Sequence, residues 1–355
     1  MGSRPTPRGM PVRARTLAPE ARLRTWAARA GLLVASTALS LFGAELIVRA
    51  AGWAPQIHVI EITGGAYQST DDPRLPYAPV AGRGHFNAHG MRDRLRDGRP
   101  LLEAPRAVAI GDSILFGGGS PVSKIFTSRL EDKLRAHDPR LRGAEVWNMG
   151  VPGYDTINAV AHFERSGLRL APDLVILGYC INDKVTQSSE LRELARHPRR
   201  REQARLRSLM AKHAMAKSEL VRLFLFHTQP DEPPAERHSP APPPYGNVQQ
   251  GFARLGELAR THGFGVAVVI FPFLEPFTRY KHGEDHRRVA RMARQHGFEV
   301  LDLLPSFRNT FRDDAIRLRV HRHDRLHLNA EAHEHAAKVA LPFIARVMKG
   351  SRESR

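Results

Sequence analysis

The sequence of 355 residues contains a single cysteine, Cys180, and therefore cannot form an intramolecular disulfide. One cysteine neither requires nor excludes an oxidising compartment, so the compartment has to be inferred from other features. Internal repeats are also missing, which argues against an array of stacked repeats. With 42% hydrophobic and 25% charged residues, the chain has the composition of a globular protein with one sizeable core.

The sequence has fewer acidic than basic residues, with 36 Asp and Glu against 54 Lys and Arg, and its formal net charge is therefore +18. Residues 1–30 hold seven Arg and one Glu, which leaves +12 for the other 325 residues. The basic residues lie in amphipathic segments without the interleaved aromatic residues of a nucleic-acid-binding protein. We therefore expect no nucleic-acid partner, and an anionic membrane surface or an acidic polymer explains the charge equally well.

One long apolar run is present, over residues 31–51. As a helix it would be about 31 Å long at ~1.5 Å per residue, close to the thickness of a bilayer core. Glu45 interrupts it, but within two turns of the far end, where a carboxylate can reach the interface. Three arginines directly precede the run: Arg22, Arg24 and Arg29. The positive-inside rule then places the N-terminus in the cytoplasm and everything after Trp53 in the periplasm or outside the cell.

Two other interpretations of this run are a cleaved signal peptide and a buried core helix. A cleavage site needs a small-x-small pattern; residues 42–44 (FGA) fail at the first position, and residues 36–38 (STA) fall inside the apolar run. A core helix would not need an approach with seven arginines. We therefore predict a membrane-spanning signal anchor over residues 31–51, preceded by a disordered, basic cytoplasmic tail over residues 1–30.

Short apolar runs alternate with helical patterns over residues 106–349. Strands are predicted at residues 107–110, 145–147, 173–178, 266–271 and 298–303, and helices at 123–137, before His262, before His296 and at 329–348. This alternation predicts an α/β fold with a doubly wound, five-stranded parallel sheet of the flavodoxin-like kind and helices on both faces. An irregular lead-in is predicted over residues 53–105. A helical, then Pro-rich insertion over residues 188–245 is a lid, a partner surface or a solvated insert.

The first predicted strand runs directly into Gly111-Asp112-Ser113. A serine at a strand-to-helix turn is held exposed, and nearby backbone N–H groups can face an oxyanion. A serine nucleophile also needs a base and a carboxylate that orients the base. Asp324 and His327 follow the last predicted strand, and their separation of three residues lets both side chains face one way across a turn. We predict His327 as general base and acid and Asp324 as its orienting carboxylate.

Two further segments follow the second and third predicted strands. Residues 148–153 (NMGVPG) contain glycines that let backbone approach a ligand closely, and residues 178–183 (GYCIND) carry an amide donor at Asn182. Together with the N–H groups of Ser113 and Gly153, Asn182 would form a three-donor oxyanion hole. Asp112 and Asp183 are interpreted as structural residues that hold backbone N–H groups in their turns.

The four segments GDS, NxGxxG, Gly-x3-Asn-Asp and DxxH resemble, in type and order, those of the SGNH/GDSL hydrolases, over about residues 105–349. The upstream residues 87–93 (NAHGMRD), with 72–73 and 75–77, resemble the lead-in of bacterial membrane-anchored members. The resemblance implies the SGNH hydrolase fold and a serine esterase without a cofactor. By motif position it implies Ser113 as nucleophile, Gly153 and Asn182 as oxyanion donors, and Asp324 with His327 as the rest of the triad. Ile114 replaces the usual Leu.

The resemblance leaves the substrate open. An exported, anchored esterase with a basic surface suits O-acyl groups, most simply acetyl, on an envelope or extracellular polysaccharide, while a lipid ester or acyl transfer to a sugar would use the same chemistry. One rival function is a non-catalytic carbohydrate-binding or scaffold protein with the same fold. The other is a metal hydrolase, because several histidines cluster near the C-terminus: His321, His323, His327, His333 and His335.

Overall fold

The computed structural model describes residues 19–51, 66–96, 104–184, 218–221, 223 and 244–353. The chain divides into two compact units, one formed by Met1–Ala54 with Ala214–Thr228 and the other by Pro55–His213 with Gln229–Arg355. Most of the predicted insertion over residues 188–245 and the first 18 residues of the predicted tail lie outside the described residues. Within the insertion, residues 219–221 and 223 are helical.

The first unit contains one long helix, α1 (Pro19–Ala51), which begins 12 residues before the predicted span. Its part Trp26–Ala51 is long and apolar enough to cross a membrane. Large apolar side chains along this part are exposed: Trp26, Leu32, Leu33, Val34, Leu39, Leu41, Phe42, Leu46 and Ile47. Such a surface suits contact with lipid rather than with a protein core.

The second unit is built on two sheets. A short antiparallel ribbon in the lead-in pairs β1 (Tyr67–Ser69) with β2 (Tyr77–Pro79). The main sheet has five parallel strands in the order β4-β3-β5-β6-β7. Their bounds are β3 (Arg106–Gly111), β4 (Glu145–Gly150), β5 (Leu174–Cys180), β6 (Gly265–Phe271) and β7 (Glu299–Asp302). The predicted doubly wound α/β fold is confirmed.

The described residues of this unit form seven α-helices, in chain order α2 (Ser113–Phe116), α3 (Phe126–His137), α4 (Thr156–Ser166), α5 (Gly246–His262), α6 (Gly283–Gln295), α7 (Leu304–Phe311) and α8 (Ala330–Glu353). Buried side chains of α3, α7 and α8 form a core on one face of the sheet, and those of α4, α5 and α6 form a core on the other. Side chains alternate between the two faces of a strand, so β3 contributes Ala107 and Ala109 to the first core and Val108 and Ile110 to the second.

Three glycines lie in register where the central strands end. Gly111 of β3 pairs with Gly150 of β4 on one side and with Gly178 of β5 on the other. The short helix α2 packs directly on them, because a Cβ on Gly150 would lie 2.4 Å from the backbone nitrogen of Phe116 and one on Gly178 would lie 2.6 Å from Cγ of Leu115. The glycines therefore let α2 sit against the carboxyl edge of the sheet, at the topological switch point where ligands bind in such folds.

We expect Gly150→Ala to displace α2, because backbone rather than a flexible side chain fills the space that the new methyl group needs. The substitution should lower the free energy of unfolding by about 1–3 kcal/mol and reduce the ester hydrolysis expected from the sequence more than this loss of folded protein accounts for. Thermal unfolding and turnover of p-nitrophenyl acetate measure both effects. Gly143→Ala is the matched control, since its methyl group would meet only Ala104 Cβ at 3.7 Å. Equal behaviour of the two variants would contradict the packing argument.

Candidate active site

Ser113 is the first residue of α2 and directly follows the turn after β3. Asp112 caps this helix, since its Oδ1 accepts a hydrogen bond of 2.8 Å from the backbone N–H of Ile114. As the first helical residue, Ser113 has a backbone N–H that lacks an intrahelical acceptor. The turn therefore presents both the hydroxyl and the N–H of Ser113 at the carboxyl edge of the sheet.

Asp324 and His327 lie in the loop between α7 and α8. One oxygen of Asp324 accepts hydrogen bonds of 2.9 Å from the N–H groups of Leu326 and His327, which fixes the turn between the two residues. The loop is closed by a backbone bond of 3.2 Å from Val320 N–H to His327 O. It is also joined to the segment after β6, where Leu274 N–H donates to Arg325 O at 2.8 Å. These bonds explain why a loop residue can hold a fixed position at the strand ends.

The structure brings the three predicted triad residues together. His327 Nδ1 lies 2.8 Å from Asp324 Oδ2, and His327 Nε2 lies 2.9 Å from Ser113 Oγ. With its proton on Nδ1, the imidazole donates to the carboxylate and accepts from the serine hydroxyl, which is the tautomer that base catalysis requires. The Asp324 and His327 side chains are 10% and 16% exposed, so a substrate can reach the imidazole while the pair stays largely out of water.

Asn182, the predicted amide donor, follows β5 and is bonded to the nucleophile turn. Its Nδ2 donates a hydrogen bond of 2.8 Å to Oδ2 of Asp112. Asp112 thus accepts from Ile114 with one oxygen and from Asn182 with the other, so its interpretation as a residue that only holds a backbone N–H was incomplete. An amide nitrogen carries two hydrogens, and the bond to Asp112 sets the plane in which the second hydrogen lies.

Gly153, the third predicted oxyanion residue, lies in the loop after β4 and has a positive φ of 78°. Val151 N–H fixes the start of this loop by donating to Gly111 O at 3.1 Å. Asn148, the first residue of the same motif, is fully buried: its Nδ2 donates to Leu115 O at 2.8 Å, and its Oδ1 accepts from Gly150 N–H at 2.9 Å. Asn148 therefore ties β4 to α2 and does not face a substrate.

Asp183 directly follows Asn182, and its side chain does not accept from a backbone N–H as predicted. Its Oδ2 accepts a hydrogen bond of 2.9 Å from Thr156 Oγ1, and its backbone oxygen accepts from Asn247 Nδ2. Burial raises the pKa of Asp183 well above its usual value, and the charges of Asp112 and Asp155 raise this pKa further. Burial also raises the pKa of Asp112, against the opposing bond from Asn182.

The lead-in contributes residues that the sequence analysis did not identify. Arg92 is buried, and its guanidinium donates to the carbonyl oxygens of Phe116 and Gly117 at 2.5 and 3.1 Å and to Ser120 O at 2.6 Å. It therefore braces the end of the helix that begins with Ser113. Tyr77 donates to Pro152 O at 2.8 Å and so supports the loop of Gly153. A lone arginine in an irregular segment carries no periodic signal, so its place in the NAHGMRD motif is the one signal by which the sequence could have identified it.

A second His–Asp pair lies near the ends of β6 and β7. His286 Nδ1 is 2.8 Å from Asp302 Oδ1, and its Nε2 is 3.0 Å from the hydroxyl of Tyr280. That hydroxyl also accepts from Phe273 N–H at 2.9 Å, and burial raises its pKa. A phenol so placed supports the segment after β6 rather than attacking a substrate.

The C-terminal histidines do not converge. His333 is fully buried with a pKa that burial, followed by the charges of Arg92 and His327, lowers to about 3. His335 lies edge-on to Phe307 and Phe311, whereas the rings of His321 and His323 lie beside each other. In the described part of the chain, no three His, Cys, Asp or Glu side chains are placed to share a metal ion.

A serine, histidine and aspartate in series at the switch point of a doubly wound sheet are the arrangement of a serine ester hydrolase. The model of the GDSL-like Lipase/Acylhydrolase family matches residues 109–335, more than half of the chain. The chain belongs to this family, and the predicted SGNH/GDSL membership is confirmed.

Several solved structures resemble the chain at low sequence identity. LAE5, an alpha/beta hydrolase enzyme from the metagenome of Lake Arreo, is 18% identical over 72% of this chain and 99% of its own, with a TM-score of 0.43. A catalytic mutant of Axe2, an acetylxylan esterase from Geobacillus stearothermophilus, is 16% identical over 70% and 96%, with a TM-score of 0.42. TesA is 16% identical over 68% and 99%, with a TM-score of 0.43. No curated protein matches the chain.

We expect Asp112→Asn to lower kcat on p-nitrophenyl acetate about ten- to hundredfold with little change in KM. Asparagine keeps the shape of aspartate but has one acceptor oxygen, so the bond from Ile114 or the bond from Asn182 is lost. Asn182→Ala should lower kcat further, by about 10²–10³-fold. Asp138→Asn is the control, because Asp138 caps the turn at Arg140 in the same way. A fully active Asn182→Ala would exclude Asn182 as an oxyanion donor, and a fully active Asp112→Asn would exclude the orienting role.

Proposed function

We propose that the protein is a serine esterase that removes or transfers an O-acyl group, with acetyl as the first candidate, through an acyl-serine intermediate. The observation that carries this proposal is the hydrogen-bonded series from Asp324 through His327 to Ser113 Oγ, with distances of 2.8 and 2.9 Å. Ser113 comes from the turn after β3, and Asp324 and His327 come together from the loop between α7 and α8. Such a series raises the nucleophilicity of a serine that is otherwise unreactive at neutral pH.

In the proposed reaction, Ser113 Oγ attacks the ester carbonyl while His327 Nε2 takes the hydroxyl proton. The negative charge that develops on the carbonyl oxygen is held by N–H groups of Ser113, Gly153 and Asn182. His327 then gives its proton to the departing alcohol, and the acyl group stays on Ser113. Water, or a hydroxyl of another sugar, attacks the acyl-serine with His327 again as base. Asp324 keeps the imidazole in the required tautomer throughout.

We propose that α1 anchors the enzyme, with the N-terminus in the cytoplasm and the catalytic unit in the periplasm or outside the cell. The length and hydropathy of Trp26–Ala51 support the anchor, and the seven arginines before residue 31 support the orientation. An enzyme in this position meets polymers and lipids of the cell envelope. The formal net charge of +12 on residues 31–355 favours an anionic acylated polysaccharide over a neutral one, and an ester lipid is the second substrate class.

Ser113→Ala and His327→Ala should each abolish turnover without unfolding the protein, with losses in kcat on the order of 10⁶ where such residues act as a unit. A panel of p-nitrophenyl esters from acetyl to palmitoyl, with acetylated polysaccharides, tests the activity and the acyl group together. Highest kcat/KM for acetyl and release of acetate from a polysaccharide are expected. His323→Ala is the matched control, since this exposed histidine lies in the same loop. Turnover by Ser113→Ala would overturn the assignment, and a preference for palmitoyl would indicate a lipid substrate.

A further inference from the structure

Glu45 is the one acidic residue in the apolar part of α1, and its carboxylate is surrounded by hydrogen-bond donors. Ser218 Oγ donates to it at 2.8 Å, and the backbone N–H groups of Glu219 and Leu220 each donate at 2.9 Å. Arg49, one turn further along α1, adds an ion pair at 2.6 Å. As a result the Glu45 side chain is only 17% exposed, whereas most neighbouring side chains of α1 are exposed.

Apolar packing accompanies these bonds. Residues of α1 and of the 218–221 segment line one shared cavity: Leu41, Phe42, Glu45, Leu46, Arg49, Ser218, Leu220 and Val221. The α1 members recur at spacings of four residues, so they lie on one face of the helix. Ser218 also orders its own segment, because its hydroxyl accepts from Val221 N–H at 3.1 Å. The segment therefore contacts α1 through the hydrogen bonds to Glu45 and through the apolar side chains of Leu220 and Val221 beside them.

The contact provides hydrogen-bond partners both for the carboxylate of Glu45 and for the backbone N–H groups of the 218–221 segment. A carboxylate within a membrane helix is costly unless it is paired and hydrogen-bonded, and Arg49 with three donors meets that need. Backbone N–H groups close to a bilayer also need acceptors, and Glu45 supplies them for Glu219 and Leu220. The sequence of residues 220–226 (LVRLFLF) is apolar except for one arginine, as befits a segment that approaches lipid.

We propose that residues 218–221 form a docking segment that binds the outer part of the membrane helix through Glu45, so that the insertion between β5 and α5 is held at the membrane. The proposal rests on the proposed anchoring of α1. Glu45 is then the hydrogen-bond acceptor that binds this segment, which gives a reason for an acidic residue in the membrane-spanning part of α1.

The chain itself connects this docking to the active site. Lys184, two residues after Asn182, precedes the predicted insertion over residues 188–245, and Tyr245 is the last residue of that insertion. Tyr245 N–H donates to Lys184 O at 2.9 Å, so the two ends of the insertion meet. The docking segment therefore lies in the stretch of chain that directly follows the loop of the proposed oxyanion donor.

Cysteine cross-linking in the full-length protein in membranes tests the docking. Phe42→Cys with Leu220→Cys should be joined by a short bis-maleimide, with the linked peptides identified by mass spectrometry. Ile47→Cys with Leu220→Cys is the matched control, because Ile47 is exposed and does not line the shared cavity. Native Cys180 should not react, because it is fully buried and burial raises the pKa of its thiol.

Adding Glu45→Leu should lower the cross-linking yield of the first pair at least roughly tenfold, the factor that loss of one charge-assisted hydrogen bond gives. This variant keeps the span apolar and should leave turnover of p-nitrophenyl acetate unchanged. Equal yields for the two pairs, or a yield that Glu45→Leu does not change, would overturn the docking. Alkaline carbonate extraction of the same samples, with an N-terminal epitope tag, reports the anchor separately: release of the protein or loss of the tag would overturn the anchor whatever the cross-linking yield.

Discussion

The hydrogen bond between His327 and Ser113 joins residues 214 positions apart in the chain, and its short length requires that both ends be fixed by the fold. At one end, α2 rests on three glycines where β3, β4 and β5 finish together. At the other end, Asp324 organises its own turn, and the loop is bonded to the segment after β6. The parallel sheet supplies the common edge on which these parts meet.

The three proposed oxyanion donors, Ser113, Gly153 and Asn182, also lie in loops at this edge of the sheet. Asp112 links the nucleophile turn to Asn182, so one carboxylate sets the orientation of two of the three proposed donors. Arg92 and Tyr77 brace the helix and the loop from outside the sheet. The lead-in is thus a structural part of the catalytic unit, although it lies before the first strand of the main sheet.

The sequence predicted the sheet well because buried parallel strands are short apolar runs with clear ends, and all five strands lie where those runs are. It did not predict α4 or α7, since α4 buries polar residues such as Asn158 and His162 and α7 has only eight residues. The residues proposed for catalysis are brought together as their motifs suggested. Arg92 and the role of Asp112 depend on contacts between distant segments, which no local pattern records. The hydrogen bonds of Glu45 could not be predicted either, because their donors lie in a segment more than 170 residues further along the chain.

The central claim is that Ser113 is the group that becomes acylated, and reaction with an active-site-directed fluorophosphonate measures this most directly. The account predicts that the native enzyme loses esterase activity as the probe attaches, that peptide mass spectrometry finds the probe on Ser113, and that Ser113→Ala is not labelled. Labelling of a different residue, or full esterase activity with Ser113 unlabelled, would contradict the account.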